Sequence, residues 1–294
     1  MFDYLGELLV DKDEIAKSLT KRRKTFIEKS VSVTTKKMTK AETLENLKQK
    51  AELEEADGWT ILRKSKKSFR LKKEKQLDEQ LEDEIWTIMA LMGFDEMSDG
   101  RHFKIKVGDD INPRQIDVFV KDRESVINIE CTHCEENKKR NMSELIEKIS
   151  SMKGKVAESI KTHYGNNPKL KIGWVIATRN IDWGNADLEK AKREKITILR
   201  EDEIEYYRKL TGHLKGAAKY QLLSQIFSNE EISGLELPVP ATRGDMGGKT
   251  FYNFLIKPSN LLKIAYISHK ASRSIEDIAT YQRMLQPTSV QSLN

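Results

Sequence analysis

Apolar positions recur along this chain with two different periods, and the changes of period mark out its elements. The run QLEDEIWTIMALMGF places Leu81, Ile85, Ile88, Met89 and Met92 on one helical stripe, with Gly93 where helices commonly end. That spacing predicts a helix. Three short strand candidates follow, HFKIKV, RQIDVFVK and VINIEC. The segment 142–163 then carries Leu145, Ile146, Ile149, Met152, Val156 and Ile160 at helical spacing. KIGWVIAT is the most apolar strand-like run and predicts a central strand; a helix through 186–195 and a short strand, ITILR, come next. Strands alternating with helices imply an α/β fold, a mixed or partly parallel sheet flanked by helices.

The flanks read differently. Residues 1–58 form a helical N-terminal extension in which one helix begins near Asp11 and another runs from Thr39 to Glu55, with SVSVTTKK as the linker. Its apolar content is low, so these helices are expected to lean on something else. From Trp59, GWTILRKSKKSFRLKK alternates enough to pair as a short strand or hairpin. EDEIEYYRKLTGHLKGAAKYQLLSQIF supplies two more helices, and the Pro/Gly-rich passage ISGLELPVPATRGDMGGK is the clearest boundary. We therefore expect a central domain over 59–230 and a truncated α+β segment over 231–294, too short to fold as a domain alone.

Composition narrows the classes. With 294 residues the chain can bury a proper core, and 33% charged residues against 38% hydrophobic ones give a heavily charged surface. No run approaches the ~18 apolar residues of a membrane-spanning helix, so no membrane partner is expected. The start, MFDYLGELLVDKDE, has acids where a secretory signal has bases. The two cysteines, Cys131 and Cys134, lie too close together to staple a fold. Both features lead us to expect a reducing, cytoplasmic location. A net charge of +6 permits nucleic acid as a partner, and distribution matters more than the total. Basic clusters occur at 21–24, at Lys64, Lys66, Lys67, Arg70, Lys72 and Lys73, and at Lys138, Lys139 and Arg140. Such clusters could neutralise phosphates, or be solvated faces of a charged protein.

Candidate chemistry centres on three acids. Glu82 sits on the predicted helix, Asp117 begins the strand QIDVFV, and Glu130 interrupts the apolar strand INIEC. A carboxylate buried without a partner costs several kcal/mol, so acids in apolar strands need an explanation. If the two strands form a hairpin turning at KDRES, the carboxylates converge at one sheet edge. Converging carboxylates make a hard-oxygen site suited to Mg²⁺ or Mn²⁺, and such an ion promotes phosphodiester hydrolysis. The alternatives are a structural pair satisfied by lysines for Asp117 and Glu130, and a plain surface residue for Glu82. Gln115 is a further neighbour of this edge.

Taken in order, Glu82, Gly93–Phe94, QID, the strand ending at Glu130, the long helix, WVIATRN and ITILREDEI resemble the PD-(D/E)xK, or restriction-endonuclease-like, fold over roughly residues 76–210. The flanking GWTILRKSKKS, HLKGAAKYQLLSQIF, LPVPATRGDMGGKTFY and PSNLLKIAYISHK resemble proteins in which such a nuclease domain precedes a DGQHR domain, related to ParB-like folds and to regulators of DNA phosphorothioation. The resemblance implies a metal-dependent DNA endonuclease in modification-linked or antiphage defence. It implies Glu82, Asp117 and Glu130 as metal ligands, with Cys131 adding a backbone carbonyl. The chain lacks the DGQHR signature itself, and Thr132 stands where the family has its lysine. Lys153 or Lys155 on the following helix is the candidate replacement. A different class stays open: a catalytically silent nuclease fold that binds DNA or a partner protein as a regulatory subunit, as a homodimer or within a defence system. A truncated product without activity of its own is the third reading.

Other chemistries find less support. Cys131, His133 and Cys134 are zinc ligands by type, but strand alternation splits neighbours onto opposite faces and no second cysteine pair exists. The remaining histidines, His102, His163, His213 and His269, accompany no nucleophile pattern. GDMGGK lacks phosphate-loop spacing and reads as a turn.

Overall fold

The computed structural model of the chain describes residues 5–32, 40–65, 67–107, 113–228 and 240–258. Lys66 and the PSNLLKIAYISHK stretch from residue 259 onward, both singled out in the sequence, lie outside them. The N-terminal part comprises β1 (Leu8–Leu9), α1 (Lys12–Arg22), β2 (Phe26–Ser32), α2 (Lys40–Glu55), β3 (Thr60–Lys64) and β4 (Ser68–Glu74). The central part continues with α3 (Leu77–Met92), β5 (Glu96–Ser98), β6 (Lys104–Ile105), β7 (Arg114–Gln115), β8 (Val118–Lys121), β9 (Ser125–Lys139) and α4 (Ser143–His163). It is completed by β10 (Lys171–Asp182), α5 (Asn185–Arg193), β11 (Ile196–Leu199), α6 (Glu201–Leu214) and α7 (Ala218–Ile226), before the hairpin β12 (Ala241–Met246) and β13 (Lys249–Phe254).

A six-stranded mixed sheet, ordered β1-β5-β8-β9-β10-β11, forms the centre. Its first three junctions are antiparallel, and the β9–β10 and β10–β11 junctions are parallel. Alternation along β9 sends Ile127 and Ile129 into one core, with Ile85, Trp86 and Met89 of α3 and Leu210 of α6. Val126 enters the opposite core with Ile146, Ile149 and Val156 of α4. Residues 173–178 of β10 are buried throughout, as a central parallel strand covered on both faces must be. At Gly173 an added Cβ would lie 2.5 Å from Ile226 Cγ2, so the absence of a side chain is what lets the end of α7 lie against the sheet. This is the α/β class expected from the sequence, consistent with a restriction-endonuclease-like architecture.

The helix stripe of α3 is buried as expected, and Gly93 closes the helix at φ 72°. Asp11 caps α1, accepting from the Asp13 and Glu14 amides at 2.7 and 3.1 Å. The 59–74 stretch forms the β3–β4 hairpin. Three expectations need correction. SVSVTTKK is not simply a linker, because its first residues complete β2, which pairs along the free edge of β4. The N-terminal extension is thus not wholly helical: β1 joins the central sheet, and β2 forms a three-stranded sheet with β3 and β4 covered by Leu47 and Ala51 of α2. RQIDVFVK is two strands, for a reason that lies in Asp117 itself.

Candidate active site

Asp117 stands between β7 and β8, where the chain leaves one sheet for the other. Its Oδ2 accepts the Cys131 amide at 2.8 Å, so the carboxylate takes the place that a further β8 backbone group would fill beside β9. The backbone ladder starts one step later, at Val118 opposite Ile129. In an extended strand, the N–H and C=O of one residue project to the same edge, so the Cys131 carbonyl faces this gap as well. The Gln115 side chain, which donates to the Arg101 carbonyl at 3.4 Å, lies near enough to Asp117 to favour its ionised form.

Glu130 is 7% exposed and its Oε1 has no hydrogen-bond partner. Burial, then the charge of Asp117, pushes its carboxyl up to about 8. Glu82, on α3, has a buried Oε2 without a hydrogen bond; Arg101 Nε is the near cation, at 3.8 Å. Burial and Asp117 push Glu82 up to about 7. Asp117 is raised by burial, an effect the Cys131 amide partly offsets. The Cys131 thiol is also pushed up, by burial and by these three acids, so it is no nucleophile near neutral pH. The three predicted carboxylates are therefore close enough to feel one another's charge.

Their arrangement is loose. Among the described residues no three His, Cys, Asp or Glu side chains form a ready-made metal cage. Mg²⁺ is commonly held by one or two carboxylates with several waters retained, so orphaned oxygens on Glu82 and Glu130 fit such an ion without a closed cage. A fully solvated carboxylate would not need one. These are buried.

Thr132 is half-buried, and its Oγ1 accepts from Arg140 Nη1 at 3.0 Å. An unbroken strand would separate these residues by roughly 26 Å. The register explains their meeting: from His133 to Lys138, β9 takes five steps while β10 takes two, Arg179 to Ile181. The excess loops out, held by Asn180, whose φ is 54° and whose Nδ2 donates to the Cys134 and Glu135 carbonyls at 3.0 and 3.3 Å. Arg140 returns over the strand and also lies 3.5 Å from the His133 carbonyl.

Lys153 points elsewhere, donating to the Glu194 carboxylate at 2.8 Å and to its carbonyl at 2.9 Å. Lys148, on the same helix, is the lysine whose charge acts on both Asp117 and Glu130. It lines a small hollow with Lys155 and Arg114. Sequence reasoning passed over Lys148 and Arg140 as parts of this site; helical phase would have separated Lys148 from Lys153, but nothing local announces the loop that returns Arg140. Of the predicted DNA-contacting residues, Lys138 and Lys139 end β9, the strand that carries Glu130, whereas Lys64 and Lys67 belong to the β3–β4 hairpin of the separate small sheet. Cys131 and Cys134 lie on opposite faces of β9, packed into different cores.

Behind Glu82 lies a buried ionic hub the sequence did not disclose. Asp83, 3% exposed, binds Arg22 at 2.6 Å, Arg101 at 2.7 Å and Lys75 at 2.8 Å. Arg101 also holds Glu79 at 2.6 Å, Lys75 donates to the Arg22 carbonyl at 3.0 Å, and Arg22 lies over the Trp86 ring. Asp83 thus ties α1 and the end of β4 to the helix that carries Glu82.

No protein-family model matches the chain, and no curated protein matches it. Two solved structures do, each at 14% identity: protein VC1899 from Vibrio cholerae, and Can2 from Sulfobacillus thermosulfidooxidans in complex with cyclic tetra-adenylate. The first covers 69% of this chain with a TM-score of 0.32, the second 73% with a TM-score of 0.31. The chain spans about half the length of each, 52% in both cases.

Proposed function

We propose that this chain is a metal-dependent nuclease of the PD-(D/E)xK type that hydrolyses phosphodiester bonds in DNA, in modification-linked or antiphage defence. The observation that carries the reading is the pair of buried oxygens without a hydrogen bond, Glu82 Oε2 and Glu130 Oε1, beside Asp117, with Arg101 Nε 3.8 Å from the first. A carboxylate oxygen held out of water without a hydrogen bond is costly unless a cation completes it, and Arg101 stands too far from Glu82 to donate one. Glu82, Asp117, Glu130 and the Cys131 carbonyl would hold Mg²⁺ or Mn²⁺. Such an ion, when bound, lowers the pKa of a coordinated water and stabilises charge on a phosphoryl oxygen.

The chain's own residues divide the remaining work. The Cys131 amide fixes the direction of Asp117. Arg140, anchored on Thr132, supplies the positive charge the family places at the Thr132 position; a guanidinium forks onto phosphate oxygens but does not exchange a proton near neutral pH. Lys148 adds charge from α4. Lys138 and Lys139 extend the basic edge along which a DNA backbone would run.

A second reading, a silent fold that binds DNA without cutting it, is favoured by Thr132, whose hydroxyl carries no charge. Cleavage of plasmid and phage DNA in Mg²⁺ separates the two. We expect slow native cleavage, abolished in Glu130→Gln, reduced about 10²–10³-fold in Arg140→Ala as for loss of one preorganised stabilising group, and raised in Thr132→Lys. Cleavage that survives Glu130→Gln would overturn the nuclease reading. DNA binding with no cleavage by either the native chain or Thr132→Lys would establish the silent fold.

A further inference from the structure

On the other side of the Asp83 hub lies a second cavity, of about 370 Å³, that none of the chemistry above uses. Its walls come from the junction of α1 and β2, from α3, from the end of β10 and from α6. Six basic groups line it against two acids. Arg22 and Lys75 are buried on Asp83 and form its floor. The other four, Arg23, Lys24, Arg179 and Arg208, stand around the opening. Arg23 has no acidic partner among the described residues. Lys24 is drawn to Glu28 outside the cavity, at 2.6 Å.

Glu84 is the second acid, and it is shared. Arg179 Nη2 binds its Oε2, and Arg208 Nε lies 3.7 Å from its Oε1. Glu201 and Glu205, outside the lining, also approach the two arginines, at 4.0 and 3.5 Å. Over the whole lining, six cations still outnumber Asp83 and Glu84 together with the outlying Glu28, Glu201 and Glu205, so positive charge is in surplus, and Glu84 is the carboxylate that Arg179 and Arg208 share. Thr87 also borders this space. Bidentate arginine geometry matches a phosphate as well as a carboxylate, and a phosphate carries more charge and more acceptor oxygens.

We propose that this cavity is a phosphate-binding site in which Arg179 and Arg208 grip the anion and Glu84 is the internal stand-in that the anion displaces. The site is independent of the nuclease reading, since none of its residues is among the carboxylate ligands. It lies at the same end of the sheet, because Arg179 pairs in register with His133, next to Thr132. The phosphate has two possible sources, a nucleic-acid backbone or a soluble phosphorylated ligand.

Calorimetric titration with inorganic pyrophosphate at low ionic strength tests the site without reference to activity. Native protein should bind, Arg179→Ala and Arg208→Ala should each weaken binding tenfold or more, and Glu84→Gln should tighten it severalfold. Glu84→Gln removes no cation, so it tests the site even if an arginine variant fails to fold. Competition then assigns the source: displacement by a short DNA duplex identifies a backbone phosphate, and displacement by a mononucleotide but not by DNA identifies a soluble ligand. Absence of binding in both native and Glu84→Gln protein overturns the proposal. So does affinity that ignores both arginines, or displacement by neither competitor.

Discussion

Glu130 and Glu82 are carboxyl groups held in a place that disfavours their charge, and this makes stability depend on pH. The folded values, about 8 and about 7, lie above the 4.5 of a free glutamate. A group raised on folding contributes stability that is fully present below its unfolded value and is lost as pH rises through its folded value. Metal-free protein should therefore lose melting temperature between about pH 5 and pH 8. Glu130→Gln should flatten that decline, and Mn²⁺ should raise the melting temperature more at pH 8 than at pH 5.5, because an ion favours the ionised carboxylates. Thermal melts across this range check both; a metal effect equal at the two pH values would contradict the assignment. At this scale Asp117 and Glu130 stand out in the sequence as charges inside apolar runs, whereas Glu82, flanked by Asp83 and Glu84, is marked only by the order of elements it shares with the family. The sequence offers Arg140 only as part of a basic cluster and cannot place it at Thr132, because that approach depends on an excess of β9 residues looping out between its pairings with β10, which only the register shows.

Elements were legible where one period dominated. The stripe from Leu81 to Met92 and the stripe from Ile146 to Ile160 follow 3.6-residue spacing, and both helices bury those residues. β9 was harder, since its last residues, 135–139, are all exposed and show no alternation, so the strand runs well past the INIEC core that announced it. RQIDVFVK misled for a different reason: a side-chain oxygen of Asp117 takes over a bond that sequence patterns assign to backbone. α3 also carries a prediction of its own. Asp83 compensates Arg22 and Lys75, whose side chains are 8% and 3% exposed. Breaking a buried ion pair by removing one partner typically costs ~3–5 kcal/mol. Asp83→Ala should destabilise the protein by about that much in denaturant titration and release α1 to proteolysis, whereas Glu79→Ala, at a more exposed pair and the N-terminal cap of α3, should cost about 1–2 kcal/mol. Equal effects of the two would show that the hub does not hold α1.

For the whole molecule, the α/β class followed from strands and helices taking turns, and the basic clusters followed from composition. Their grouping in space did not: Lys64 and Lys67 fall on the small N-terminal sheet, while Lys138, Lys139 and Arg140 fall on the central one. Two basic surfaces on one chain predict DNA affinity that tolerates sequence and falls steeply with salt, as counterion release requires. A gel-shift series across salt concentrations checks this, with Lys138→Ala and Lys139→Ala together expected to reduce the slope of log affinity against log salt by up to about 2. Affinity indifferent to salt would remove the phosphate backbone as the partner. Among the described residues no helix is long and apolar enough to cross a membrane.

The central claim is that Glu82, Asp117 and Glu130 share one divalent ion. Calorimetry with Mn²⁺ at pH 7.5, on native protein and on Glu130→Gln, tests it most directly because it needs neither DNA nor cleavage. Saturable binding of a single ion by the native chain, weakened at least tenfold by Glu130→Gln with the fold intact by circular dichroism, is the predicted result. Binding of equal strength in the two proteins would contradict it.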